Sequence, residues 1–96
     1  MFSVKIDGYS HEILRNIRVE DIRSYLNSLG YEFVETHHNY HLYRDDTDDL
    51  LTVPIHMDFR DYGYRVDELV RLLAKKKDVS VQRIIAEING SGNGVE

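Results

Sequence analysis

The constraint that most narrows the fold of this chain is a change of hydrophobic period that happens twice. Val19, Ile22, Leu26 and Leu29 recur every three or four residues, with Glu20, Asp21, Arg23 and Asn27 between them. That spacing makes one apolar stripe on a helix of about three turns. Glu20 and Asp21 fall in its first turn, where the helix dipole favours carboxylates, and Gly30 follows as a left-handed C′ residue. From Tyr31 the pattern becomes β-rich: Tyr31 to Thr36, Tyr40 to Arg44 and Leu50 to Ile55 read as three strands. They are separated by turns at His38-Asn39 and at the acidic run Asp45-Asp46-Thr47-Asp48-Asp49. Pro54 cannot donate to a ladder and belongs at a strand end or edge. The helical period then returns at Val66, Leu69, Val70, Leu72 and Leu73, after a loop over Met57 to Arg65 with Gly63 as its flexible point. Val81, Ile84, Ile85 and Ile88 mark a short further helix capped by Asp78 or Ser80.

A helix cannot bury its stripe alone. The expected fold is therefore α+β: a three-stranded antiparallel sheet with two helices on one face, in the order α-β-β-β-α, plus a short C-terminal helix. The other sheet face is left open. Ahead of this core, residues 1–18 read as a strand-like extension, because Phe2, Val4 and Ile6 alternate with Ser3, Lys5 and Asp7. His11 to Ile17 fits either a second short strand or a helical turn. Residues 19–89 form the domain proper, and residues 90–96, rich in Gly, Ser and Asn, read as a mobile tail.

Ninety-six residues suffice for one core. There is no cysteine, so disulfides and thiolate metal sites are excluded. No apolar run is long enough to span a bilayer, and the N-terminus lacks the basic start of a secretory signal, so a cytoplasmic protein with no membrane partner is expected. The net charge of −5 argues against a large nucleic-acid footprint. Two local groups run against that total, Lys75-Lys76-Lys77 and the looser set Arg15, Arg18 and Arg23.

Four of the five histidines, His37, His38, His41 and His56, lie in the strand region. Histidine titrates nearest physiological pH and suits proton transfer, phosphate contact or metal ligation. Strand alternation places His41 and Tyr43 on one face and Tyr40 and Leu42 on the other, with Leu42 the better core residue and His41 on the open side. Zinc ligation by His37, His41 and His56 with one of the aspartates lacks any tight ligand spacing. The acidic run lacks the order of a calcium loop and reads as a solvated turn.

The element order, with Gly30-Tyr31, His41-Leu42-Tyr43, Val53-Pro54-Ile55-His56 and Val79-Ser80, resembles the HicA family of bacterial and archaeal toxins over roughly residues 19 to 89. That resemblance implies a core similar to the double-stranded-RNA-binding domain. It also implies an mRNA interferase acting without a metal or cofactor and silenced by a cognate antitoxin. On this reading His41 is the catalytic acid/base, and Lys75, Lys76, Lys77 and His56 meet RNA phosphates. Asn39-Tyr40 stands before His41 where the family pattern has small residues. The alternative reading keeps the fold without the chemistry, as a protein-interaction or regulatory module. Tyr40 and the acidity of the chain point toward it.

Overall fold

A computed structural model describes residues 11–93, with side chains from 13 to 90. The strand-like stretch expected over residues 2–7 lies outside the described residues. Helix α1 (His11–Arg15) is followed by α2 (Val19–Ser28), so the helical alternative holds for the start of the 11–17 segment. Then come β1 (Glu32–His37), β2 (Tyr40–Arg44) and β3 (Leu50–Pro54), and finally α3 (Tyr62–Lys77) and α4 (Val81–Asn93). The strands form an antiparallel meander in the order β1-β2-β3. The fold is α+β, as the change of period predicts.

Cross-strand pairing fixes which side chains share a face. Tyr43 pairs with Leu51 and His41 with Val53, and Tyr43, Leu51 and Val53 are buried. Helices α2 and α3 both pack against β3 and cover this face. The second face carries Tyr40, Leu42, Leu50, Thr52 and Pro54. The assignment of Leu42 to the core is therefore corrected: Tyr43 is 1% exposed, whereas Leu42 is only half-buried. The tyrosine ring out-competes leucine because its hydroxyl finds a partner, accepting from Arg23 Nε of α2 at 2.9 Å. Strand β1 extends beyond the helices with all six residues exposed, and its pairing with β2 is broken by a bulge between Phe33 and Glu35.

Helix ends follow local chemistry. Gly30 (φ 84°) is the left-handed C′ residue of α2; its N–H donates to Asn27 O at 3.0 Å, and the Tyr31 N–H donates to Leu26 O at 3.1 Å. These two bonds satisfy carbonyls that the helix leaves open. Asp78 takes the same role after α3 (φ 59°), while Ser80 Oγ accepts from Arg83 N and caps α4. An L side chain is strained in this region, and a carboxylate opposes the dipole at a helix C-terminus. Asp78→Gly is expected to raise the melting temperature by about 4–8 °C, from a gain of about 1 kcal/mol, which a thermal melt followed by circular dichroism measures.

Two boundaries differ from the sequence expectation. Helix α3 begins at Tyr62, inside the expected loop, and Gly63 is a buried helical residue. Glycine weakens a helix by about 1 kcal/mol, but Tyr62 offsets this: its ring is buried and its hydroxyl donates to Ile17 O. Helix α4 continues through the expected tail as far as Asn93. Ile84, Ile85 and Ile88 dock this helix on α2 and α3, and Tyr25 OH donates to Glu87 Oε1 at 2.7 Å. Once a helix is nucleated and packed, further residues add at small cost, so composition alone does not end it.

Candidate functional site

His41 sits on the central strand at the margin of the helix-covered face. It is half-buried rather than displayed on the open face, which corrects the expected placement. Its Nδ1 shares a hydrogen bond with Thr36 Oγ1 at 2.9 Å, so among the described residues Nε2 is the ring's uncommitted nitrogen. Phe33 stands edge-on to the imidazole with centroids 5.9 Å apart. Burial and the positive charge of Arg23 both lower the His41 pKa below its ordinary value. The ring is therefore mostly neutral at pH 7. Arg23 is spread over Phe33, 5.1 Å from the ring centroid, while donating to Tyr43. The cluster thus contains one base and one guanidinium.

The lysine run divides. Lys76 turns toward the β2–β3 loop, where its Nζ lies 2.7 Å from Asp45 Oδ2 and 3.0 Å from Asp49 Oδ2. The Asp45 side chain is buried, and its Oδ1 accepts from Thr47 N (2.8 Å), Thr47 Oγ1 (2.8 Å) and Asp49 N (3.0 Å). Lys76 foremost, then the Thr47 and Asp49 donors, holds the Asp45 carboxyl well below the usual carboxylate range. The same contacts push the Lys76 ammonium up. The acidic run is therefore a built turn clasped to α3, not only a solvated one. Lys76 is committed to that clasp, and Lys75 and Lys77 alone of the run stand exposed.

His37 and His38 lie together at one turn and His56 in a separate loop. His37 and His38 pack edge to face at the β1–β2 turn, where His38 takes φ 52°. His56 stacks on Phe59, centroids 4.7 Å apart, in the loop that leads to α3. Among the described residues, no three His, Asp or Glu side chains converge as metal ligands. His56 instead helps wall a recess of about 380 Å³ floored by Tyr40, Thr52 and Pro54 of the open sheet face and closed by Phe59 and Arg65.

Most arginines are paired with carboxylates. Arg18 lies near Glu20, Arg65 near Asp61 and Glu68, Arg71 near Asp67, and Arg83 near Glu87. On the open sheet face, Arg44 is held by Glu32 at 3.2 Å and Asp48 at 3.9 Å. Sequence reasoning missed the partnership of Arg23 and Thr36 with His41 and the Asp45–Lys76 clasp. The register Thr36↔His41 follows from the two-residue turn at His38-Asn39, so the first contact had a signal. No helix of the described chain is long and apolar enough to cross a membrane. No family model, curated protein or solved structure matches the chain.

Proposed function

We propose that this domain is a non-catalytic protein-interaction module that works through its open sheet face. The observation that carries the reading is the make-up of that face. Tyr40 and Leu50 are exposed on it, the latter at 55%, and Leu42 and Pro54 are half-buried beside them. Its arginine, Arg44, is already neutralised by Glu32 and Asp48. A surface that grips phosphates needs uncommitted cations, because neutralised phosphates supply most of the sequence-independent affinity. An apolar, aromatic face with a paired charge at its rim suits a protein partner better.

A toxin-type ribonuclease in the manner of HicA, with its RNA substrate and cognate antitoxin, is the second reading. It is favoured by the neutral His41 beside Arg23, with Lys75 and Lys77 as remaining phosphate contacts. Growth and bulk mRNA on induced expression in a bacterium separate the two. The module reading expects unchanged growth and intact mRNA for both the wild type and His41→Ala. Arrest and mRNA loss that vanish in the variant would establish the nuclease instead. In the same cells, a tagged wild-type domain is expected to retain a protein that the Leu42→Asp/Leu50→Asp variant does not.

A further inference from the structure

We propose that β1 is an acid-released strand: protonation of His41 undocks it from β2. The inference goes beyond the module reading and does not depend on it. Strand β1 packs along β2 and, among the described residues, along no helix, and all six of its residues are exposed. The bulge between Phe33 and Glu35 interrupts its pairing. Elements with so few buried contacts are the first to open locally. On the helix-covered side one cluster fastens the strand. Phe33 stands edge-on to His41 and to Tyr43, centroids 5.9 and 5.5 Å away, and Arg23 of α2 lies over the Phe33 ring at 5.1 Å. Thr36 Oγ1 shares a hydrogen bond with His41 Nδ1 at 2.9 Å. The strand that yields most cheaply is therefore held where an imidazole titrates.

A charge on His41 works against that cluster. From α2 the ring faces the fixed cation of Arg23. From β1 it meets Phe33 and Thr36, and on β3 it pairs with Val53, none of them charged. Glu32 and Glu35 lie opposite Arg44 and Leu42, on the other face of the sheet. Among the described residues, no carboxylate acts on the ring to compensate an imidazolium. Arg23 is not free to withdraw, because its Nε donates to the hydroxyl of buried Tyr43 at 2.9 Å, and stranding that hydroxyl is costly. Undocking β1 instead takes Phe33 and Thr36 off the ring and admits water, which solvates the imidazolium and screens it from Arg23. Burial first, then Arg23, holds the His41 pKa below its ordinary value in the docked state. Docking is therefore fully favoured above the ordinary imidazole value of about 6.5. It weakens as pH falls from there toward the docked value.

The test is amide hydrogen exchange of the full chain, read residue by residue by NMR at about pH 7.5 and about pH 5, a window above the ordinary carboxylate range. Protection factors correct for the intrinsic pH dependence of exchange. Those of the protected β1 amides are expected to fall at least about threefold at the lower pH, while those of β3 hold. In His41→Gln, which removes the titrating group and keeps a polar side chain, the fall should vanish. In the double variant His37→Gln/His38→Gln, which removes the two imidazoles at the β1–β2 turn, it should remain. Unchanged β1 protection in the wild type would overturn the proposal. So would an equal fall in His41→Gln, or a fall that disappears with His37 and His38. A fall shared by β3 would mean that acid loosens the whole domain, which overturns it as well.

Discussion

Tyr43→Ala is expected to destabilise the domain by about 3–5 kcal/mol, the cost of removing a buried aromatic side chain from a packed core. Its neighbour Leu42→Ala should cost about 1 kcal/mol, because it lies half-buried on the uncovered face. The asymmetry follows from pairing: Tyr43 lies opposite Leu51 beneath the helices, and its hydroxyl receives the Arg23 guanidinium. It also stands edge-on to Phe33, centroids 5.5 Å apart. Equilibrium denaturation of the two variants reads the difference directly. A larger loss for Leu42→Ala than for Tyr43→Ala would mean that the strand is turned over, which would put His41 on the open face.

Lys76→Met is the second large effect, with an expected fall in melting temperature of about 10–20 °C. The substitution keeps the length of the side chain but strands the buried Asp45 carboxylate, which is costlier than never having buried a charge. Adding Asp45→Asn should recover part of the loss, since the amide oxygen still accepts from Thr47 and Asp49. The pH dependence has a definite sign. The Asp45 pKa is lowered on folding, so its contribution is complete above the unfolded aspartate value of about 4 and fades as pH falls below that toward the folded value. The Lys76 pKa is raised, so its contribution is complete below the unfolded lysine value of about 10.4 and fades only at more alkaline pH. Wild type should therefore melt at a nearly constant temperature through neutral pH so far as this pair decides it. The acid-side loss should be smaller in Lys76→Met.

The residues differ in how far their roles could be read from the chain alone. Elements with strong local signals were legible: the α2 stripe, Gly30 at its end, the His38-Asn39 turn and Pro54 at a strand end all stand where the spacing puts them. The choice of buried face on β2 was not, because Leu42 and Tyr43 are both apolar and alternation alone leaves the sheet's two sides equivalent. The partner across the sheet decided it. Tyr62 and Gly63 reversed a propensity reading for the same reason, since the contact with Ile17 spans 45 residues. The Asp45–Lys76 clasp links residues far apart in the chain and leaves no local pattern, so the aspartate run looked like solvent-facing charge. His41 was singled out by the resemblance to the HicA pattern, but its orientation toward Thr36 and Arg23 depended on the face that was misassigned.

The bulge in β1 bears on how the domain behaves in a crowded solution. Among the described residues β1 is an edge strand, and an edge with Phe33 and Val34 exposed is a template onto which any extended chain, including another copy, can add. Uninterrupted pairing of that kind needs a regular alternation of outward-facing donors and acceptors. The extra residue between Phe33 and Glu35 spoils the alternation midway along the six-residue strand and bends it. Each side of the bulge leaves only a short run, too little for a lasting ladder. Among the described residues, the fold thus keeps one edge of its sheet uncovered while denying it the regularity on which strand-by-strand polymerisation depends.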